Sequence, residues 1–524
     1  MPGDYHESAE YVVSEHPLGE PRAIRVITIG SGASALNVAR CIDKHMRNVS
    51  LVLYEKNHDI GGTWLENKYP GCACDIPSHC YQYSWAPNPE WTQFYSSAPE
   101  ILKYLQNTAA KHDLRKYVKF QHRVVGATWV EDHWVIRVQD MITGEEFDDW
   151  CTVFINSSGY LNNWKWPDIP GLQSFQGTLM HSAAWNDQVD LAGKTVAVLG
   201  CGSSGVQIVP SIQPQVKHLT TFIRTPTWIT AGFAQKFSGP GGTNFEYSKE
   251  QIQNFLDNSR AYLDYRKSVE SELNRRFPMI LKDSPEQAEA VRFSTQDMTT
   301  RLGSKGAEIA KRIIPDFAVG CRRPTPGNGY LESLTKDNVR VVGEEIKEIV
   351  PGGIVLATGE LIKVDVFICA TGFDLSYSPR FPITGKSGVN LAKQWKTRPT
   401  AYLSVTPANM PNYFSTCHRT LSHLPKLTPA QCSWDRTRRW AMAPLCRSLN
   451  TRRSISSSSC ISYRQRTLSP SHQILRRWKS SRHIQMSSLN EQLGARIVDP
   501  GSRMAKSTVL LRHYILAVGY TGFT

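Results

Sequence analysis

The sequence predicts an α/β fold, and three observations predict it. A strand, glycine turn, helix and strand follow one another from Ile24, the same grammar recurs from Lys194, and a charged, helix-patterned stretch follows the second copy. Each unit has the form that binds a dinucleotide, so the expected architecture is two Rossmann-like dinucleotide-binding domains with a helical insertion. A chain of 524 residues is long enough for that.

The first unit opens with the apolar run Ile24–Ile29. The turn Gly30-Ser31-Gly32-Ala33-Ser34-Ala35 follows, then a helical stretch through Met46 and a second strand over Ser50–Tyr54. Gly30 allows a tight turn and Gly32 lets backbone N–H groups approach a pyrophosphate. Ala35 is small enough for the helix to lie on the sheet. Glu55 ends the second strand, where an acid can accept from a ribose hydroxyl.

The second unit has its strand over Lys194–Leu199 and a complete turn, Gly200-Cys201-Gly202-Ser203-Ser204-Gly205, with a helical stretch from Val206. After the next strand, Leu219–Ile223, stands Arg224 rather than an acid. An arginine there can pair with a 2′-phosphate and favours NADP over NAD; a solvated surface arginine is the plainer alternative. Gly239-Pro240-Gly241-Gly242 breaks the pattern and opens the helical stretch, about 239–311. A last strand, Val364–Cys369, runs into Ala370-Thr371-Gly372-Phe373-Asp374.

Composition bounds the rest. The net charge of +14 is concentrated at one end: Ser415–Thr524 holds 18 Lys and Arg against 3 Asp and Glu, leaving 42 against 43 before it. A near-neutral body without a recognition module argues against nucleic acid. The chain shows neither a secretory signal nor an apolar run of membrane-spanning length, so a cytoplasmic location is expected. Twelve cysteines then read as reduced thiols. Cys72 and Cys74 have poor spacing for a metal, and none is expected.

Three further segments carry a resemblance. Gly61-Gly62-Thr63-Trp64-Leu65-Glu66-Asn67-Lys68-Tyr69-Pro70-Gly71-Cys72-Ala73-Cys74-Asp75 is one. Phe175-Gln176-Gly177-Thr178-Leu179-Met180-His181-Ser182-Ala183-Ala184-Trp185 is the second, and Ala370–Asp374 the third. Over about Ile24–Phe414 the chain resembles the class B flavoprotein monooxygenases of the Baeyer–Villiger type. One departure is Asn186, which separates Trp185 from Asp187.

The resemblance implies FAD and NADPH as cofactors and O2 as co-substrate. It implies insertion of one oxygen atom into a ketone, giving an ester or lactone. Gly62, Thr63, Trp64, Tyr69, Asp75, Thr371 and Gly372 join the glycine turns, Ser203, Ser204 and Arg224 as expected cofactor-binding residues, Tyr69 against the flavin. In Gly320-Cys321-Arg322-Arg323-Pro324, Arg323 is the implied catalytic cation and Arg322 a ligand for the 2′-phosphate. Asp75 would orient Arg323. Phe175, Gly177, His181 and Trp185 become hinge and linker residues. The wording is similar to fungal members of secondary metabolism, including mycotoxin pathways, which implies a polyketide- or terpenoid-like ketone. An S- or N-oxygenating enzyme and an inactive relic are the alternatives.

The expected domains are then a polar lead-in (1–21), a first FAD-binding part (22–165), an NADPH-binding domain (166–364) and a FAD-binding return segment (365–414). From Ser415 the family pattern stops and Arg/Ser runs take over. We read this stretch, 415–524, as a shifted reading frame; a divergent basic tail that binds acidic partners is the other reading.

Overall fold

The computed structural model describes residues 22–402 and 405–416. Two five-stranded parallel sheets organise them. In the first, β1 (Ile24–Ile29) pairs with β2 (Val49–Tyr54) on one side, and helix α1 (Ala33–His45) makes the crossover. The Ile and Val residues of β1 are covered on both faces, as a central parallel strand requires. Helix α1 buries Ala35, Leu36, Val38, Ala39 and Ile42, one stripe at helical spacing, and ends on Lys44 and His45, which complement its dipole.

After α2 (Thr63–Glu66) and α3 (Ala98–Lys111), the short β3 (Val118–Lys119) extends this sheet beyond β2. An antiparallel layer of β4 (His122–Val130), β5 (His133–Asp140) and β6 (Glu146–Cys151) follows. Then β7 (Val153–Asn156) re-enters the first sheet beside β1.

The second sheet starts with β8 (Thr178–His181) and β9 (Thr195–Leu199). Helix α4 (Ser203–Ile212) leads to β10 (His218–Phe222), parallel to β9. This helix begins three residues earlier than the apolar pattern from Val206 suggests, because the turn's own Ser203-Ser204-Gly205 forms its first turn. Beyond the short β11 (Ile229–Thr230) come α5 (Lys249–Asp257), α6 (Ser259–Arg275), α7 (Pro285–Leu302) and α8 (Ala307–Ile313), the helical insertion. It docks on the first unit through His79. That ring is 1% exposed and meets Tyr247, Phe255, Tyr262 and Tyr265 edge-on at 4.9–5.6 Å.

Strand β12 (Thr325–Pro326) pairs with β11, and β13 (Val339–Val342) closes one edge of the second sheet. A hairpin layer, β14 (Ile346–Val350), β15 (Gly353–Leu356) and β16 (Leu361–Lys363), precedes β17 (Val366–Cys369). Here the structure corrects a boundary. The sequence reading gave 365–369 to the returning FAD segment, yet β17 pairs in register with β8 and β9 of the second sheet. A continuous apolar run marks a buried parallel strand but not which sheet it joins.

The return to the first unit comes later. Strand β18 (Ile383–Thr384) joins β4, and β19 (Tyr413–Ser415) lies beside β7. Ser415 pairs with Asn156, and the Thr416 N–H donates to the Asn156 carbonyl at 3.0 Å. The first sheet thus holds Ser415, and Thr416 is bonded to its end, although both fall in the stretch read as tail. The rest of that tail, 417–524, and the lead-in, 1–21, lie outside the described residues. Among the described residues no helix is long and apolar enough to cross a membrane.

Candidate active site

The first glycine turn lies at the carboxyl ends of β1 and β7, where the sheet order reverses, the position at which open α/β sheets take their ligands. A Cβ on Gly30 would stand 2.9 Å from the Ser157 carbonyl oxygen, so the turn passes too close to β7's exit for any side chain. Gly62 holds φ +54°, and a Cβ there would meet the Gly32 Cα at 2.9 Å. Two glycine turns therefore face each other with bare backbone. Helix α1 starts at Gly32 with neither a capping side chain nor an acid in its first turn. Its N-terminal amides and positive dipole end suit an anion. These features fit the pyrophosphate of FAD. Thr63 and Trp64 open α2 directly after Gly62, and the buried Trp64 indole donates to the Tyr81 hydroxyl at 3.1 Å.

Glu55 stands at the end of β2, 4% exposed. One carboxylate oxygen accepts from the Ser31 N–H at 2.7 Å and its hydroxyl at 2.9 Å. The other accepts from the Asn57 N–H at 2.9 Å. Glu55 thus holds the turn itself, beyond the ribose contact expected of it.

The second turn repeats the design on the second sheet. A Cβ on Gly200 would stand 2.5 Å from the Ala370 carbonyl oxygen, and one on Gly205 would collide with the Gly200 carbonyl. Gly202 differs: a Cβ there would meet nothing within 4 Å. Helix α4 again starts uncapped and without an early acid, at Ser203 and Ser204. Open backbone at a helix N-terminus fits the pyrophosphate of a second dinucleotide. Arg224 is exposed just past β10. Arg322, also exposed, lies over the Phe317 ring at 5.3 Å. Burial raises the Cys201 thiol within the turn, and its bond with Thr227 opposes that rise.

Between the units lies the pair that the sequence brought together only by resemblance. Arg323 stands two residues before β12, which is fixed by the Thr325 N–H donating to the Trp228 carbonyl at 3.0 Å. One guanidinium nitrogen, Nη2, reaches both oxygens of Asp75 at 2.6 and 2.5 Å. The side chains are 28% and 9% exposed. Burial works against the Arg323 charge, but the Asp75 carboxylate outweighs it and raises the guanidinium pKa further. The Arg323 Nε is buried and, among the described residues, has no hydrogen-bond partner. Tyr160 stacks on Tyr377 at 5.7 Å and lines a shallow open cleft walled also by Asn156, Asp374, Arg380 and Trp395.

His181 ends β8, fully buried. The Ala183 N–H donates to Nδ1 at 3.1 Å, so the proton resides on Nε2, which faces the Thr371 hydroxyl at 3.2 Å. Burial lowers its pKa to about 4, and the ring stacks on Trp164 at 4.5 Å. The segments that cross between the two units meet here, since the Asp374 N–H donates to the Asn163 carbonyl at 2.7 Å. Gly372, at φ +80°, lies between those contacts. Trp185 packs on the main core, Phe175 packs under the hairpin layer, and a Cβ on Gly177 would strike the Asp365 carbonyl.

Tyr69, the residue expected against the flavin, has a buried hydroxyl that donates to Gln207 Oε1 of α4 at 3.0 Å. Burial pushes that phenol well above its ordinary range. Sequence reasoning missed Gln207 altogether. The available signal was one amide in the otherwise apolar run Val206–Val209.

Comparison with known proteins gives the family. Residues 23–281 match the flavin-binding monooxygenase-like family. An FAD-binding monooxygenase, tazF, of Aspergillus terreus is 41% identical over 397 residues, 75% of this chain and 70% of that protein. A Baeyer–Villiger monooxygenase of Streptomyces coelicolor is 33% identical, over 75% of this chain and 72% of its own. The crystal structure of a cyclohexanone monooxygenase from Rhodococcus sp. Phi1 bound to NADP+ superposes with a TM-score of 0.65. It is 29% identical and covers 76% of this chain and 80% of its own. The chain belongs to the flavin-binding monooxygenase-like family, and within it is related to the Baeyer–Villiger enzymes.

Proposed function

We propose that the protein uses FAD and NADPH to insert one oxygen atom of O2 into a ketone, giving an ester or lactone. The observation that carries this is the Asp75–Arg323 pair set between two glycine-turn nucleotide sites. FAD, when bound, supplies the chemistry of accepting a hydride from NADPH and activating O2.

The chain's own residues do the rest. Gly30, Gly32 and Gly62 admit the flavin nucleotide to the α1 N-terminus, and Gly202 admits the second nucleotide to α4. Arg224 and Arg322 supply cations for a 2′-phosphate. Arg323 keeps its charge at any working pH, so it can hold negative charge on oxygen in a poorly hydrated site without donating its proton away. Asp75 fixes the guanidinium through Nη2, leaving Nε for the reacting partner. Transfer of oxygen to sulfur or nitrogen needs no such fixed cation, and the pair therefore favours the ketone reading.

The resemblance of the motifs to fungal family members supports a polyketide- or terpenoid-like ketone as substrate. The test is to incubate FAD-loaded protein with NADPH, O2 and a panel of cyclic and side-chain ketones, with a thioether alongside. Esters or lactones formed with NADPH consumption are expected; a sulfoxide as sole product overturns the reading.

A further inference from the structure

The side chain of Gln207 joins the two nucleotide units at both of its ends. Its Oε1 accepts from the Tyr69 hydroxyl at 3.0 Å and its Nε2 donates to the Ala73 carbonyl at 3.0 Å. Tyr69 and Ala73 bracket the segment that carries Gly71 and lead, two residues on, to Asp75. Gln207 lies one turn into α4, just beyond Ser203-Ser204-Gly205. The two backbones are as close as they can be. Gly71 holds φ +79°, and a Cβ there would stand 2.7 Å from the Gln207 carbonyl oxygen and collide with the Ser211 hydroxyl. The Ser211 hydroxyl in turn donates to that same carbonyl at 2.7 Å.

The geometry points to Gln207 as a positioning residue: it pins the segment holding Asp75, and through it Arg323, in register with the helix whose N-terminus takes the nicotinamide nucleotide. This rests on the assignment of that nucleotide to α4 made above. A side-chain amide suits the task because it donates and accepts at once. Neither a carboxylate nor an apolar residue of the same length does both. Any shift of α4 on nucleotide binding is then transmitted to Asp75, and any change at Asp75 is returned to the nucleotide with equal coupling.

That reciprocity gives a test in binding rather than in turnover. Dissociation constants for NADP+ are measured on FAD-loaded wild type, Asp75→Asn, Gln207→Met and the double variant. With Gln207 present, Asp75→Asn weakens NADP+ by about fivefold; in the Gln207→Met background the same change costs less than about twofold. An equal shift in both backgrounds, or none in either, overturns the proposal. If Gln207→Met fails to fold, Gln207→Glu serves in its place, since it keeps an acceptor for Tyr69 and loses the donor to Ala73. The same wild-type preparation is assayed on ketones. Oxygenation together with an additive cycle removes only the role of Gln207. A non-additive cycle without oxygenation removes only the proposed reaction.

Discussion

Asp75 and Arg323 lie 248 residues apart and meet through a single guanidinium nitrogen that reaches both carboxylate oxygens. The pair bridges the fingerprint segment of the first unit and the loop that leads into β12 of the second. Removing one member of a buried ion pair leaves the other charge uncompensated, which costs about 3–5 kcal/mol when burial is complete. Arg323 retains 28% exposure, so solvent screens part of that cost. Asp75→Asn is expected to lower stability by about 1–3 kcal/mol in denaturant melts of the FAD-loaded protein. No change at all would show that the pair contributes nothing to the union of the two units.

Two glycines should respond oppositely to the same substitution. Gly202→Ala adds a methyl group to open space at ordinary φ, −77°. Stability should stay within about 0.5 kcal/mol while NADP+ affinity falls tenfold or more, on the order of 1.4 kcal/mol. Gly71→Ala places a methyl group against Gln207 and Ser211 at positive φ. It should destabilise the fold by about 2 kcal/mol or more. Thermal melts and NADP+ titrations of both variants separate the two effects.

Arg224→Ala tests the choice between nicotinamide nucleotides. With the 2′-phosphate cation removed, KM for NADPH should rise about tenfold and KM for NADH should barely move. An equal rise for both would mean that Arg224 does not read the phosphate.

Acid should weaken the fold through two buried imidazoles. Burial holds His181 at about 4 and His79 at about 3, against 6.5 for an ordinary histidine. Above pH 6.5 both are neutral in the folded and unfolded chain, and the full stability is present. As pH falls from 6.5 toward 4 and then 3, the unfolded chain takes up protons that the folded chain cannot, and stability declines. Each ring contributes on the order of a few kcal/mol to that loss. Melting temperature against pH should show the decline, and His181→Gln should flatten its upper part.

Both glycine turns, their strands and the helical insertion were legible because they are local: short apolar runs, small residues and breakers at fixed offsets. Arg323 was legible only by resemblance, since nothing in Gly320–Pro324 distinguishes it from a solvated Arg-Arg pair. The membership of β17 was not legible, because a fully buried parallel strand reads the same in either sheet. Gln207 and its bond to Tyr69 were missed for a related reason. Their contact joins residues 138 apart across two units, and no periodicity records such a meeting. Glu55 was placed at the right strand end, yet its bonds to Ser31 depend on how the turn folds back.

The most direct measurement is a single turnover of FAD-loaded Arg323→Ala with NADPH, O2 and a ketone that the wild type oxygenates. Bleaching of the flavin by NADPH should proceed at close to the wild-type rate, and ester or lactone should fall at least about 100-fold. Ester formed at the wild-type rate would contradict the role given to Arg323.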